Sequence, residues 1–290
     1  VWDLSQKAQV PTALFIAAFI FVIAGFAYKI SAVPFHFWAP DVYEGAPAPV
    51  AGFLSTASKA AGFAVLMRVL FAFFPQGNLY WTWIAVLLAV ASMFLGNLTA
   101  IPQKNIKRLI AFSSIAQAGY VLVGVAAGDQ AGISAATYYL MAYLVTNLLV
   151  FAVIGLVNKT DQSSEVAAFS GLSRRSPVLA LLMLTGLLSL GGIPPFAGFF
   201  AKILVLNAAM QKDLAWLVLV ALINSVIGLY YYLRVLKVMY LDPAPQNAAS
   251  IQYSVRWITA AAICTAGVLL MGVILNPFMQ AALQSAAALK

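Results

Sequence analysis

The sequence predicts an all-α, polytopic transmembrane helix bundle of about eight spans. Three observations lead there: 63% of the 290 residues are hydrophobic, only 8% are charged, and the mean hydropathy is +0.95. Water-soluble domains do not reach that composition, so a bilayer is the natural solvent. Crossing its hydrocarbon core takes about 20 apolar residues.

Punctuating the chain at charges, Pro and Gly yields eight apolar segments, residues 11–33, 48–74, 79–101, 107–127, 131–157, 177–210, 213–240 and 254–276. We number them spans 1 to 8. They form a transmembrane domain of residues 1–276, followed by a C-terminal tail of 277–290. The first residue is Val1, and the apolar run 10–28 is too long for a cleaved signal peptide, so the expectation is a piece of a longer protein.

Orientation follows from Lys and Arg in the loops. One side carries nine (Lys104, Lys107, Arg108, Lys159, Arg174, Arg175, Arg234, Lys237, Arg256) and the other four (Lys7, Arg68, Lys212, Lys290). The nine-fold side is expected to be cytoplasmic, and the chain to sit in the cell's inner (plasma) membrane.

Spans 1 and 6 cannot be plain helices. Span 1 runs into Ala32-Val33-Pro34-Phe35, and span 6 carries Gly191-Gly192-Ile193-Pro194-Pro195 in its middle. Proline removes a backbone donor and clashes with the preceding turn. Interrupted backbone at membrane depth survives only where protein buries it or it lines a wet cavity. Each broken span is followed by an uninterrupted one, which suggests the last two elements of a repeated five-helix unit. Spans 3 to 7 would form one complete unit and spans 1 and 2 the end of another, a plan common among transporters.

Three lysines fall in or beside spans: Lys29 before the first break, Lys59 early in span 2, and Lys202 after the second break. A charge at the bilayer centre costs roughly 2.5–3.5 kcal/mol on insertion scales, so stability alone would remove them. Two readings stay open at this level. The long stems can lift their ammonium groups to the interface, or the amines carry protons. A conducting path needs polar neighbours at helical spacing. Such stripes are present: Ser55, Thr56 and Gly62 around Lys59; Ser113, Gln117, Tyr120 and Gly124 in span 4; Tyr139, Tyr143, Thr146 and Asn147 in span 5; Asn224, Gly228, Tyr231 and Tyr232 in span 7. A single stripe reads as helix packing through small and hydroxyl residues. Several stripes together with three amines favour a path.

Other charged groups carry less. Lys104, Lys107 and Arg108 read as topology determinants, and Asp41 and Glu44 as groups shaping the turn 39–47. His36 is the only histidine and lies beside the first break, with structural and proton-relay readings both open. One cysteine, Cys264, excludes a disulfide framework, a Cys/His metal spacing and iron-sulfur ligation. Phosphate loops, nucleophile-base pairs and paired carboxylates within spans are missing, so a soluble-type active site is not expected. Nucleic acid is not an expected partner, because the positive charge sits in small loop clusters.

The stretch KISAVPFHFWAPDVYEGAPAPVAGFLSTASKAAG (29–62) resembles the signature of the antiporter-like membrane subunits of respiratory complex I, the proton-translocating NADH-quinone oxidoreductase, and most of all the subunit N branch. NIKRLIAFSSIAQAGYVLVG (105–124) and LSLGGIPPFAGFFAK (188–202) support the likeness in the expected order. The resemblance implies that the eight spans correspond to the last eight of a fourteen-span fold. It also implies that Lys29, Lys59 and Lys202 form a proton relay, whose tuning glutamate lies outside this chain. Relatives often place a histidine where Gln117 stands, so the central link is expected to use Gln117, Tyr143 and water. Further implications are no cofactor in this chain, quinone and NADH bound by other subunits, and other membrane subunits and lipid as partners. Two alternatives are kept: a subunit of a multisubunit Na⁺(K⁺)/H⁺ antiporter, and a non-conducting membrane scaffold.

Overall fold

The computed structural model describes residues 12–73, 79–245 and 251–288. Lys7 and Lys290 of the charge count, and the outermost residues of spans 1 and 2, lie outside them. Among the described residues six helical stretches are long and apolar enough to cross a bilayer: Ala48–Leu70, Trp81–Ala100, Ile106–Ala126, Gln130–Asp161, Ala215–Tyr240 and Val255–Val273. Two interrupted spans bring the number to the expected eight.

The first interrupted span consists of α1 (Thr12–Ile30), a non-helical turn over 31–37, and α2 (Trp38–Gly45). Span 2 follows as α3 (Ala48–Phe53), a π-helical segment Leu54–Ser58, and α4 (Lys59–Phe73). Spans 3, 4 and 5 are α5 (Leu79–Ala100), α6 (Ile106–Ala126) and α7 (Gln130–Asp161). A 3₁₀ turn at Val166–Phe169 and the short α8 (Leu172–Arg175) lead into span 6, which is split into α9 (Pro177–Gly191) and α10 (Ala197–Met210). Spans 7 and 8 are α11 (Ala215–Tyr240) and α12 (Val255–Val273). The residues expected as a tail begin one more helix, α13 (Leu275–Ala287), which packs against α7. Its buried Ala282 and Ala286 are four residues apart and therefore on one face.

Helix α6 is the hub, with every residue except Arg108 buried. Its neighbours are α5, α7, α2, α10 and α11. It starts at Asn105, whose side-chain oxygen accepts from the backbone N–H of Lys107 at 2.9 Å and of Arg108 at 3.2 Å. These are two of the four donors that an α-helix leaves unpaired at its start. Asn105→Ala in the full-length protein is expected to lower stability by about 1 kcal/mol, read as a drop in its thermal or denaturant unfolding midpoint.

Contacts between loops fix which ends share a side. Arg108 bridges Asp41 at 2.7 Å and Glu44 at 2.9 Å, tying the turn after the first break to the start of α6. Arg234 reaches back to the carbonyls of Ile101 and Gln103. Arg175 pairs with Asp161 at 2.7 Å. At the opposite end Lys212 pairs with Asp129 at 2.9 Å. The loops that hold most of the basic residues thus lie at one end of the bundle, as the charge count requires. Counting crossings from there, the two broken spans run in opposite directions, the relation expected between halves of an inverted repeat.

Candidate functional site

Breaking a helix frees carbonyls at one end and N–H groups at the other, and inside a bilayer these need partners. The way the second break is satisfied creates a polar site. At the end of α9, Leu190 and Gly191 lack helical partners. The Gly191 carbonyl accepts from Lys202 Nζ at 3.0 Å, and the Leu190 carbonyl accepts from Gln117 Nε2 at 3.1 Å. Ser189 Oγ accepts the backbone N–H of Gly198 at 3.1 Å and pairs with Thr146 Oγ1 at 3.0 Å. Gly192 turns the chain with a φ of +83°.

Lys202 is 8% exposed and has uncharged partners: the Gly191 carbonyl, Ser225 Oγ at 2.8 Å, and the face of the Tyr120 ring 4.9 Å away. The carbonyl end of α9 presents the negative pole of its dipole, which favours a cation there. The aromatic face adds a cation-π contribution.

Lys59 is 2% exposed and opens α4 immediately after the π-helical segment, a distortion that often marks functional positions. Its ammonium donates to the Ser114 carbonyl at 3.0 Å and to Ser114 Oγ at 2.5 Å. No carboxylate lies within ion-pairing distance of either amine among the described residues. Two amines buried with only neutral partners are costly to hold in a bilayer.

The two amines meet the same helix. Ser114, Gln117 and Tyr120 recur at three-residue spacing along α6, so the contact of Lys59 and that of Lys202 are separated by a rise of about 9 Å. Gln117 stands between them. Its oxygen accepts from Tyr139 Oη, and its nitrogen donates to Tyr232 Oη at 3.2 Å. Tyr232 in turn pairs with Ser113 Oγ at 2.5 Å. Beside Gln117 lies a cavity of about 10 Å³ lined by Tyr139, Tyr143, Thr146 and Ser189 among others, about the size that admits one water. Tyr143 Oη accepts from Asn147 Nδ2 at 3.1 Å, which also donates to Ser55 Oγ at 2.7 Å, one helical turn before Lys59. The site is a cluster of hydroxyl, amide and amine groups gathered between two buried lysines.

The structure therefore brings together Lys59, Gln117, Tyr143 and Lys202. It does not bring in the other two expected residues. Lys29 lies in the last turn of α1 with its side chain exposed on the flank of the described bundle, its stem against Gly62. His36 is 3% exposed in the first break, its ring 4.3 Å from that of Phe37, and no hydrogen bond links it to the lysine network among the described residues. Sequence reasoning missed Ser114, Ser225 and Ser189. Ser114 stands next to the predicted stripe residue Ser113, and only the rotation of α6 against α4 selects it.

Residues 4–228 match the family model described as NADH:quinone oxidoreductase/Mrp antiporter, transmembrane. The chain belongs to that family. Among curated relatives, the NADH-quinone oxidoreductase subunit N of Moorella thermoacetica is 45% identical over 267 residues, covering 92% of this chain and 56% of the relative. A chain of respiratory complex I from Thermus thermophilus, solved with bound aureothin, superposes with a TM-score of 0.76 at 34% identity, over 88% of this chain and 56% of that one. A chain of the Mrp complex from a Dietzia species superposes with a TM-score of 0.86 at 23% identity, over 97% of this chain and 60% of that one, a likeness of fold alone. The chain spans about half the length of the curated relatives it matches. The expected subunit N likeness and all-α membrane fold are both borne out.

Proposed function

We propose that this chain provides the proton-conducting later spans of a subunit N-type membrane subunit of an NADH-quinone oxidoreductase. In this reading it couples quinone reduction elsewhere in the complex to proton transfer along its lysines. It sits in the inner (plasma) membrane beside other membrane subunits, which together with the peripheral ones bind quinone and NADH, and it carries no redox cofactor itself. Family membership and the 45% identical relative support the assignment.

The observation that carries the mechanism is the burial of Lys59 and Lys202 among neutral partners on either side of one polar cluster. An amine in such a place responds strongly to any charge that approaches it. At an effective dielectric near 20, a unit charge 4 Å away contributes about 4 kcal/mol, about a thousandfold in proton affinity. A proton leaving Lys59 is accepted at Ser114 Oγ as that hydroxyl hands its own proton on to water. Water in the cavity lined by Gln117, Tyr139 and Tyr143 carries it further, and the neutral amine of Lys202 receives it. Lys29, on the exposed flank with its stem beside Gly62, loads this path. His36 serves the first break structurally.

Lys59→Ala in the full-length subunit, assembled in its complex and assayed in inverted vesicles, is expected to lower proton uptake per quinone reduced. Lys237→Ala, on an exposed position outside the path, should leave it unchanged. Wild-type acidification in Lys59→Ala would refute the relay and favour a scaffold. The family model, whose description also names the Mrp antiporter, keeps one other reading, a cation/proton antiporter subunit. It predicts transport that responds to Na⁺ or K⁺ gradients and continues when quinone reduction is inhibited.

A further inference from the structure

A large cavity lies away from the lysine path. It is an open groove of about 770 Å³ bounded by α3, α7 and α12, at the bundle end that gathers the basic loops. Its two ends differ in chemistry. One is polar, with Lys107, Lys159, Asn158 and Gln162 in its wall, and the rest is an apolar trough that includes Phe151, Leu156, Trp257 and Ala260. From Leu148 to Lys159 the trough follows α7 for eleven residues, a rise of about 16 Å along a membrane-spanning helix.

No carboxylate lines this groove among the described residues. Of the nearby acids, Glu44 pairs with Arg108 and also attracts Lys107, Asp161 pairs with Arg175, and Glu165, next to the lining residue Ser164, is exposed outside the groove wall. Lys107 is buried and spends one N–H on the Ala46 carbonyl at 3.0 Å, which fixes its ammonium at the groove and leaves two donors. Lys159 is exposed and forms no salt bridge among the described residues. Trp257 closes the side of the trough with its indole N–H held by the Ala152 carbonyl at 3.2 Å, the interfacial position that tryptophan favours. An apolar protein helix would satisfy the trough and bring no anion to Lys107 and Lys159. An acyl chain joined to a negative headgroup satisfies both ends.

We propose that this groove binds an anionic phospholipid, its phosphate on Lys107 and Lys159 and one acyl chain along α7 between Phe151 and Trp257. The proposal is independent of the proton path. Each lysine close to the membrane surface contributes roughly fivefold in affinity for an acidic headgroup.

The test places a photo-reactive diazirinyl-phenylalanine at Trp257 of the full-length subunit in its assembled complex. The complex is reconstituted in nanodiscs of equal phosphatidylglycerol and phosphatidylcholine, and the adducts are identified by mass spectrometry. Phosphatidylglycerol adducts should exceed phosphatidylcholine adducts by at least fivefold, and Lys159→Gln should reduce that ratio about fivefold. Adducts in the bulk ratio, a ratio insensitive to Lys159→Gln, or crosslinks to another polypeptide segment would each overturn the proposal. Crosslinks to a polypeptide would show that a neighbouring span or subunit fills the groove.

Discussion

Lys202→Met in the full-length subunit is expected to cut the proton flux routed through this chain by at least tenfold while the complex still assembles. Methionine has a similar length and flexibility and no charge, so it fills the space between α9, α11 and Tyr120. Replacing a buried cation by an apolar group of similar volume is often neutral or stabilising. Two groups lose a partner, the Gly191 carbonyl and Ser225 Oγ, at about 1–3 kcal/mol for each one left unsatisfied. The opposing effects leave the unfolding midpoint close to that of the wild type. Transport has no such compensation, because Gln117, Tyr120 and Ser225 do not hold an excess proton near neutral pH. Lys202→Arg separates the carrier from the charge. It keeps a cation at the carbonyl end of α9, and its guanidinium does not release a proton in proteins. Both variants should fail in vesicle acidification; normal pumping with arginine would mean that Lys202 acts as a fixed charge.

Much of this was legible in the chain itself. Runs of about twenty apolar residues set the spans, and Pro34 and Pro194-Pro195 marked both interruptions, because hydropathy and the missing N–H of proline are local properties. What needed coordinates depended on helix rotation. Lys29, Lys59 and Lys202 look alike in sequence, yet two are buried and one is exposed. Ser113 and Ser114 are chemically identical neighbours, but they point to Tyr232 and Lys59 respectively. Asn97, inconspicuous in span 3, donates to the Asn224 carbonyl at 3.0 Å and accepts from Tyr231 Oη at 3.0 Å, so it pins span 3 to span 7. The π-helical segment before Lys59 has no proline or obvious sequence marker, and the last helix was hidden by its modest hydrophobicity, since only one face of α13 meets α7.

Gly198→Ala is expected to damage the site as badly as removing an amine, with every charged and polar side chain still in place. Gly198 is the second residue of α10, and its backbone N–H donates to Ser189 Oγ across the break. A Cβ at this position would lie 1.9 Å from the Ser189 carbonyl oxygen and 2.7 Å from its carbon. Both are backbone atoms, so no rotamer change relieves the clash, and α9 and α10 must move apart. Overpacking of this kind costs about 1–3 kcal/mol, and more where backbone is the obstacle. The displacement reaches Lys202, four residues along and on the same face of α10. Its bonds to the Gly191 carbonyl and Ser225 Oγ would lengthen, and the Gln117 cavity would change shape through Ser189 and Leu190. The measurement is a pair, the unfolding midpoint of the complex and its proton uptake, set beside Gly25→Ala. Gly25 lies in α1, where an added Cβ would meet nothing within 4 Å, so both readings should stay near wild type there. Equal behaviour of the two alanine variants would mean that the tight crossing at Ser189 does not hold Lys202 in its working position.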